Sequence, residues 1–338
     1  MNETRDLPKS AREQPAASPP IASARGQLAY ILSIILVPVL AIPLCIALGT
    51  SNFFLTHGAS VWVRANDSIF NITNRDCDVL VFGDSTAMTG INPEIVQRDT
   101  GDRTCNIAVT NAVLAVTNTL TLDHYLENNR RPRVLLLQFS PDEFRAESHK
   151  WENSIYPEGL LELLRHGTPA QRREVYLHRP REAVAFSGYT AGFTAFFFIK
   201  DAWFHLSHQR AAEDTVVVRN GFFTPPGPPR TACDSARAIT DPTHGAFAQS
   251  VVEAYREAYT SRADRVLINV APIPACDPNL KEYQDQLDGV TSNALLPLPL
   301  ALFNDERHYT EAGSNQVSQL VSEQIDNLPT GTRPLHDR

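Results

Sequence analysis

Val79-Leu80-Val81-Phe82-Gly83-Asp84-Ser85 is the stretch that decides how this chain folds. Its first four residues are apolar without polar alternation, and two are β-branched, which predicts a strand buried on both faces. Gly83 and Asp84 then open a loop before Asn92-Pro93. Ser85 is therefore expected at the C-terminal end of a strand. In open α/β sheets that edge binds ligands, because its loops form a crevice and helix N-termini point their amides into it.

Working outward, further strands are expected near 104–108, 133–139, 265–271 and 294–302, with helices near 92–99, 112–128, 246–262 and 311–326. In the last helix Val317, Leu320, Val321 and Ile325 fall on one face. Alternation of this kind predicts a parallel sheet wrapped by helices. Between the third and fourth strands the chain runs through an insertion at about 145–262, far longer than an ordinary connection, so it is expected to carry structure and specificity. Helices are expected at 158–164 and 170–183, followed by the aromatic run from Phe193 to Leu206. That run has three readings: it packs the insertion onto the main domain, grazes a bilayer or lines a substrate groove. Lys200 and Asp201 argue against a second membrane span, since charge at a helix centre is costly in lipid. Asn220-Gly221 and Pro225-Pro226-Gly227-Pro228-Pro229 mark an irregular loop.

Leu28 to Leu48 is uncharged and strongly apolar. Roughly twenty residues at about 1.5 Å each match a hydrocarbon core of about 30 Å, which predicts a transmembrane helix over 28–49. The stretch exceeds the h-region of about 7–15 residues in a cleavable signal peptide. Arg5, Lys9, Arg12 and Arg25 precede it and the next basic residue is Arg64, so the N-terminus is expected in the cytoplasm and the remainder outside. The expected organisation is a disordered tail (1–27), the span, a connector (50–75), one extracytoplasmic domain (76–330) and a short tail (331–338). With 30 Lys and Arg against 38 Asp and Glu, the net charge of −8 offers no basic footprint for nucleic acid.

The chemistry is carried by Ser85 and by Asp305-Glu306-Arg307-His308 near the C-terminus. A serine is a weak nucleophile until a base takes its proton and a third group holds that base in the right tautomer. His308 and Asp305 supply both from one turn of backbone. The plainer readings are a polar turn residue for Ser85 and a helix-capping histidine for His308.

Gly83-Asp84-Ser85, together with Asp305-x-x-His308 and the following Tyr309-Thr310-Glu311-Ala312-Gly313, resembles the first and last sequence blocks of the SGNH/GDSL hydrolases. The resemblance implies a flavodoxin-like three-layer α/β sandwich around a central parallel sheet, the SGNH hydrolase fold, here preceded by one transmembrane helix. It also implies a Ser85–His308–Asp305 triad; no cofactor is expected, and without CxxC spacing or a Cys/His cluster no metal is expected either. Two intermediate blocks depart from the family pattern. Asn111 stands where the family has an oxyanion glycine; it still offers an N–H and tolerates the left-handed backbone, or it caps a helix. Ser140-Pro141-Asp142 stands where the family has an asparagine donor, whose loss costs on the order of 10²–10³ in rate. The oxyanion hole is thus expected from the Ser85 and Asn111 amides, with Ser140 as a candidate helper.

A similar Ser-Pro-Asp stretch occurs in membrane-anchored relatives that act on cell-envelope polymers. By that resemblance the chain is expected to be an esterase or O-acyltransferase at the bacterial inner membrane, facing outward. It would act on acyl groups of an envelope polysaccharide or another acyl ester, with a multi-span membrane acyltransferase as partner. The alternatives are a catalytically impaired binding or assembly protein and a lipid esterase. Cys45 lies in the span, leaving Cys77, Cys105, Cys233 and Cys276 in a compartment that permits disulfides. Four cysteines allow three pairings, or stay as buried thiols. The flavodoxin-like order makes the first two strands neighbours, which favours Cys77 with Cys105 and leaves Cys233 with Cys276.

Overall fold

A computed structural model describes residues 24–110, 120–144, 157–178, 180–207, 216–233 and 249–329. The helices are α1 (Ala24–Gly49), α2 (Asn52–His57), α3 (Val61–Ile69), α4 (Ser85–Gly90), α5 (Pro93–Thr100), α6 (Leu120–Asn128), α7 (Pro157–His166), α8 (Pro169–Arg173), α9 (Pro180–Leu206), α10 (Gln249–Thr260), α11 (Leu280–Leu287) and α12 (Glu311–Asp326). The strands are β1 (Val79–Gly83), β2 (Thr104–Asn106), β3 (Val134–Phe139), β4 (Arg265–Val270), β5 (Ile273–Pro274) and β6 (Pro297–Leu298). The fold is α/β.

Four strands form a parallel sheet in the order β2-β1-β3-β4. Alternate side chains of β1 enter opposite cores. Leu80 and Phe82 join Leu135, Leu137, Tyr125 of α6, Tyr259 of α10 and Tyr283 of α11. Val79 and Val81 join Val134, Leu136, Val96 of α5 and Val317, Val321 and Ile325 of α12. Helices thus cover both sheet faces, which is why the run lacks polar alternation. Each of Val79 to Phe82 is 0% exposed. At about 1.5–3 kcal/mol per buried side chain, the four contribute roughly 6–12 kcal/mol as an upper estimate.

The structure departs from the sequence reading in several places, and the strand expected at 104–108 is limited to Thr104–Asn106. The strand expected at 294–302 shrinks to Pro297–Leu298, which pairs with β5 and not with the main sheet. Pro297 and Pro299 have no N–H to donate to a ladder. The segment after Asp84 is a short helix, α4, because the Asp84 side chain caps it by accepting from the Thr86 amide. The connector 50–75 is folded: Ser51 and Ser60 cap α2 and α3, and Val61, Val63, Ala65, Asn66 and Ile69 are buried. Helix α9 runs from Pro180 to Leu206 and so begins well before the aromatic run, and the helix expected at 170–183 is divided between α8, a π-helical turn at Glu174–His178 and the start of α9.

Helix α1 is long and apolar enough to cross a membrane, and its large apolar side chains from Leu28 to Leu44 are mostly exposed. Disulfides join Cys77 to Cys105 and Cys233 to Cys276, with Cα–Cα distances of 5.9 and 6.1 Å; Cys45 is free.

Candidate active site

Gly83 ends β1 with φ at 149°, and a Cβ there would lie 1.9 Å from the Gln138 carbonyl oxygen of β3, so the turn into Ser85 requires glycine. Asp84 follows, almost fully buried. Its Oδ1 accepts from the Thr86 amide at 2.8 Å and the Thr86 hydroxyl at 2.6 Å, and its Oδ2 accepts from the Ser140 amide at 2.8 Å. Burial pushes the Asp84 carboxyl up, and the Ser140 and Thr86 donors offset only part of that. Asp84 therefore ties the end of β1 to the turn after β3. Ser85 is the first residue of α4, where an amide has no acceptor inside the helix.

The second half of the site is a loop between Phe303 and Tyr309, closed by an antiparallel bridge between those residues and by the Asn304 amide donating to the His308 carbonyl at 2.8 Å. Within it, Asp305 Oδ1 accepts from the Arg307 and His308 amides, both at 2.8 Å. Its Oδ2 lies 2.6 Å from His308 Nδ1, and His308 Nε2 lies 2.9 Å from Ser85 Oγ. An ionised carboxylate only accepts, so Nδ1 carries the proton and Nε2 is left to accept from the Ser85 hydroxyl. Partial burial pushes Asp305 up, but the His308 hydrogen bond and charge, with the two amides, outweigh it and hold the carboxyl at about 2. Ser85, His308 and Asp305 thus form one continuous relay across 223 residues of sequence separation.

Three contacts around the relay had little sequence signal. Trp62 of α3 lies 4.8 Å from the His308 ring, centroid to centroid, and meets Phe223 edge-on at 4.8 Å. Asn66 of the same helix donates to the Thr110 hydroxyl at 3.3 Å and accepts from the Thr110 amide at 3.2 Å. Arg307 donates to Asp277 Oδ2 at 2.8 Å and Asp142 Oδ2 at 3.1 Å, while Asp142 Oδ1 accepts from the Tyr283 hydroxyl at 2.6 Å. Burial alone would lower the Arg307 pKa, yet the two carboxylates raise it. The only available hint was an arginine inside the Asp305–His308 block and an aspartate in Ser140-Pro141-Asp142.

That clamp gives Asp142, in the turn after β3, a structural role. Ser140 is committed to Asp84 through both amide and side chain, and Asp142 holds the loop that carries His308. Asn111 lies outside the described residues; the neighbouring Thr110 is anchored by Asn66. The Cys233–Cys276 disulfide ends beside Asp277 and so borders the clamp.

Among the described residues, the one cluster with metal-ligating side chains is Asp67, Glu162 and His166, with donor atoms within 4.8 Å of one another. Asp67 Oδ1 already accepts from Arg165 at 2.8 Å and His166 at 2.7 Å, and His166 stacks on Phe70 at 3.8 Å. Arg165 also donates to the Thr50 carbonyl. Asp67 Oδ1 is thus already engaged by two basic side chains. The cluster joins α3 to α7.

No protein-family model matches the chain, and no curated protein is significantly similar to it.

Proposed function

We propose that the chain is a membrane-anchored serine esterase or O-acyltransferase of the SGNH/GDSL type. The observation that carries this reading is the relay from Ser85 Oγ through His308 to Asp305, with 2.9 and 2.6 Å links. Those lengths are within hydrogen-bond reach for a nucleophile, its base and the group that orients the base. A protein that kept this scaffold only for binding would have no need of such an alignment.

The chemistry follows from the geometry. Ser85 Oγ attacks an ester carbonyl as its proton passes to His308 Nε2, and Asp305 stabilises the resulting imidazolium. The tetrahedral oxyanion is met by the Ser85 amide at the start of α4; Asn111, the second donor expected from the family resemblance, lies outside the described residues. Collapse breaks the ester C–O bond, the leaving alkoxide takes the proton from His308, and an acyl-Ser85 intermediate remains. An acceptor hydroxyl, from water or a sugar, then loses its proton to His308 and attacks the acyl carbon, restoring the serine. Hydrolysis and transfer differ only in that acceptor.

The apolar helix α1, the basic residues before it and the two disulfides support a single-pass anchor with the domain in an oxidising, extracytoplasmic compartment. A surface-facing acyl enzyme there has envelope polysaccharide as its natural substrate class, and a multi-span membrane acyltransferase as the means of bringing an acyl group across. Ser85→Ala is expected to abolish turnover of a chromogenic acetyl ester while leaving the thermal unfolding temperature within about 2 °C, as a small polar-to-alanine change allows. Retention of full activity would remove Ser85 from the nucleophile's role.

A further inference from the structure

Helix α9 carries two opposed faces. Ala183, Phe186, Thr190, Ala191 and Thr194 are buried. On the other side Val184, Tyr189, Phe196, Ile199, Trp203 and Leu206 are each at least 59% exposed. At about 100° per residue these six fall within one arc of roughly 140°, and the remaining residues in that arc between 184 and 206 are alanine and glycine. The outer face is therefore free of charge for roughly 33 Å of helix. Such a face exceeds the scattered apolar exposure that a soluble surface tolerates.

We infer that this face of α9 lies in the lipid bilayer beside the exit of α1, so that the catalytic domain rests on the membrane along a helix as well as hanging from an anchor. The inference rests on the reading of α1 as a membrane span. Continuity with that span is visible in the packing. Gly49, the last residue of α1, lies against Thr194, where an added Cβ would come within 2.5 Å of the hydroxyl. Just beyond it, Phe53 of α2 meets Phe198 at 6.0 Å, and Gly58 has room only for hydrogen against Phe54 and the Phe198 backbone. The middle of α9 is thus fixed where the chain leaves the span.

The outward stripe of α9 carries residue types suited to the membrane interface. Tyr189 and Trp203 belong to the aromatic types favoured at the headgroup level. Lys200 sits at the side of the stripe with its ammonium 5.3 Å from the Phe197 ring and 5.9 Å from the Phe204 ring, an arrangement that lets the charge reach water while its stem follows apolar surface. The helix lies along the membrane and does not cross it. Val216 and Val218 are packed on the domain core, and the chain from residue 207 to 216 reaches at most about 32 Å, less than the about 40–45 Å of a full bilayer. The buried face also packs on the domain helix α7.

The test uses the full chain in lipid nanodiscs, with Cys45→Ser as background and a single environment-sensitive fluorophore on Val37→Cys in α1, on Ile199→Cys or Trp203→Cys in α9, or on Lys281→Cys in α11. Lipids carrying a nitroxide at mid-chain are expected to quench positions 37, 199 and 203 about twofold or more, as burial in the acyl region requires, and to leave 281 unchanged. Quenching at 37 with none at 199 and 203 would overturn the inference while leaving the anchor intact. No quenching at 37 would overturn the anchor and the inference with it. Disulfide-linked dimers of the unlabelled Ile199→Cys protein, without quenching at that position, would assign the face to a second copy instead.

Discussion

Arg307→Met is the substitution that most sharply probes how the site is held. The guanidinium bridges Asp142 and Asp277 with side-chain exposures of 21%, 32% and 9% for the three partners. Removing one member of a fully buried ion pair costs about 3–5 kcal/mol, because the other charge is left without a partner. This triad is only partly buried and water can reach Asp142, so the expected loss is about 2–3 kcal/mol. For a domain of this size that corresponds to roughly 5–10 °C in Tm. The same change frees the loop that presents His308, so kcat is expected to fall by about tenfold to a hundredfold with KM little changed, as displacement of a catalytic base by a fraction of an ångström produces. Thermal unfolding and acetyl-ester kinetics of Arg307→Met, Asp142→Asn and the double variant form a double-mutant cycle. A coupling of about 1–2 kcal/mol in both stability and transition-state energy is expected for residues in direct contact. Additive effects, or a stable Arg307→Met protein with unaltered kcat, would refute the clamp.

Other positions give equally direct outcomes. Gly83→Ala places a methyl 1.9 Å from the Gln138 carbonyl at φ 149°, so loss of folded protein or destabilisation by more than about 3 kcal/mol is expected on thermal melts. Asp305 is held at about 2, below its unfolded value, so its contribution to stability is full above about pH 4 and is lost as pH falls through about 2; Asp305→Asn should flatten that acid limb of the stability curve. Glu162 shows the opposite sign. Burial, then the nearby Asp67 charge, push its carboxyl well above the ordinary value against the pull of Arg165, and among the described residues neither oxygen accepts a hydrogen bond, the His166 Nε2 standing 3.8 Å from Oε2. Its contribution is greatest below about pH 4.5 and declines as pH rises through the folded value, so Glu162→Gln should be at least as stable as the parent at pH 7 and show a shallower alkaline decline, measured by denaturant titration across pH.

Much of the frame could be read from local pattern. The β1 run is buried on both faces, and that condition leaves a mark in sequence because no position can be polar. The stripe of Val317, Val321 and Ile325 forecast α12, and Asp305 and His308 are close enough in the chain for their pairing to be anticipated. The disulfide pairs Cys77–Cys105 and Cys233–Cys276 were expected from the strand order that the family resemblance implies, not from local pattern. What escaped was tertiary. Nothing in Ser60-Val61-Trp62 signals that this helix returns to touch His308, since the contact depends on how 50–75 packs against distant loops. The strand expected at 294–302 failed because two prolines limit pairing more than apolar residues promote it. Ser140 and Asp142 were read against an oxyanion pattern, whereas their partners, Asp84 and Arg307, could be identified only from the folded arrangement.

Activation of Ser85 by His308 is tested by labelling the whole chain with a fluorophosphonate and locating the adduct by mass spectrometry. Stoichiometric modification at Ser85 is expected, abolished in Ser85→Ala and slowed by at least about a hundredfold in His308→Ala, where the base is gone. Folded protein that takes no label at Ser85, or that labels equally fast without His308, would contradict it.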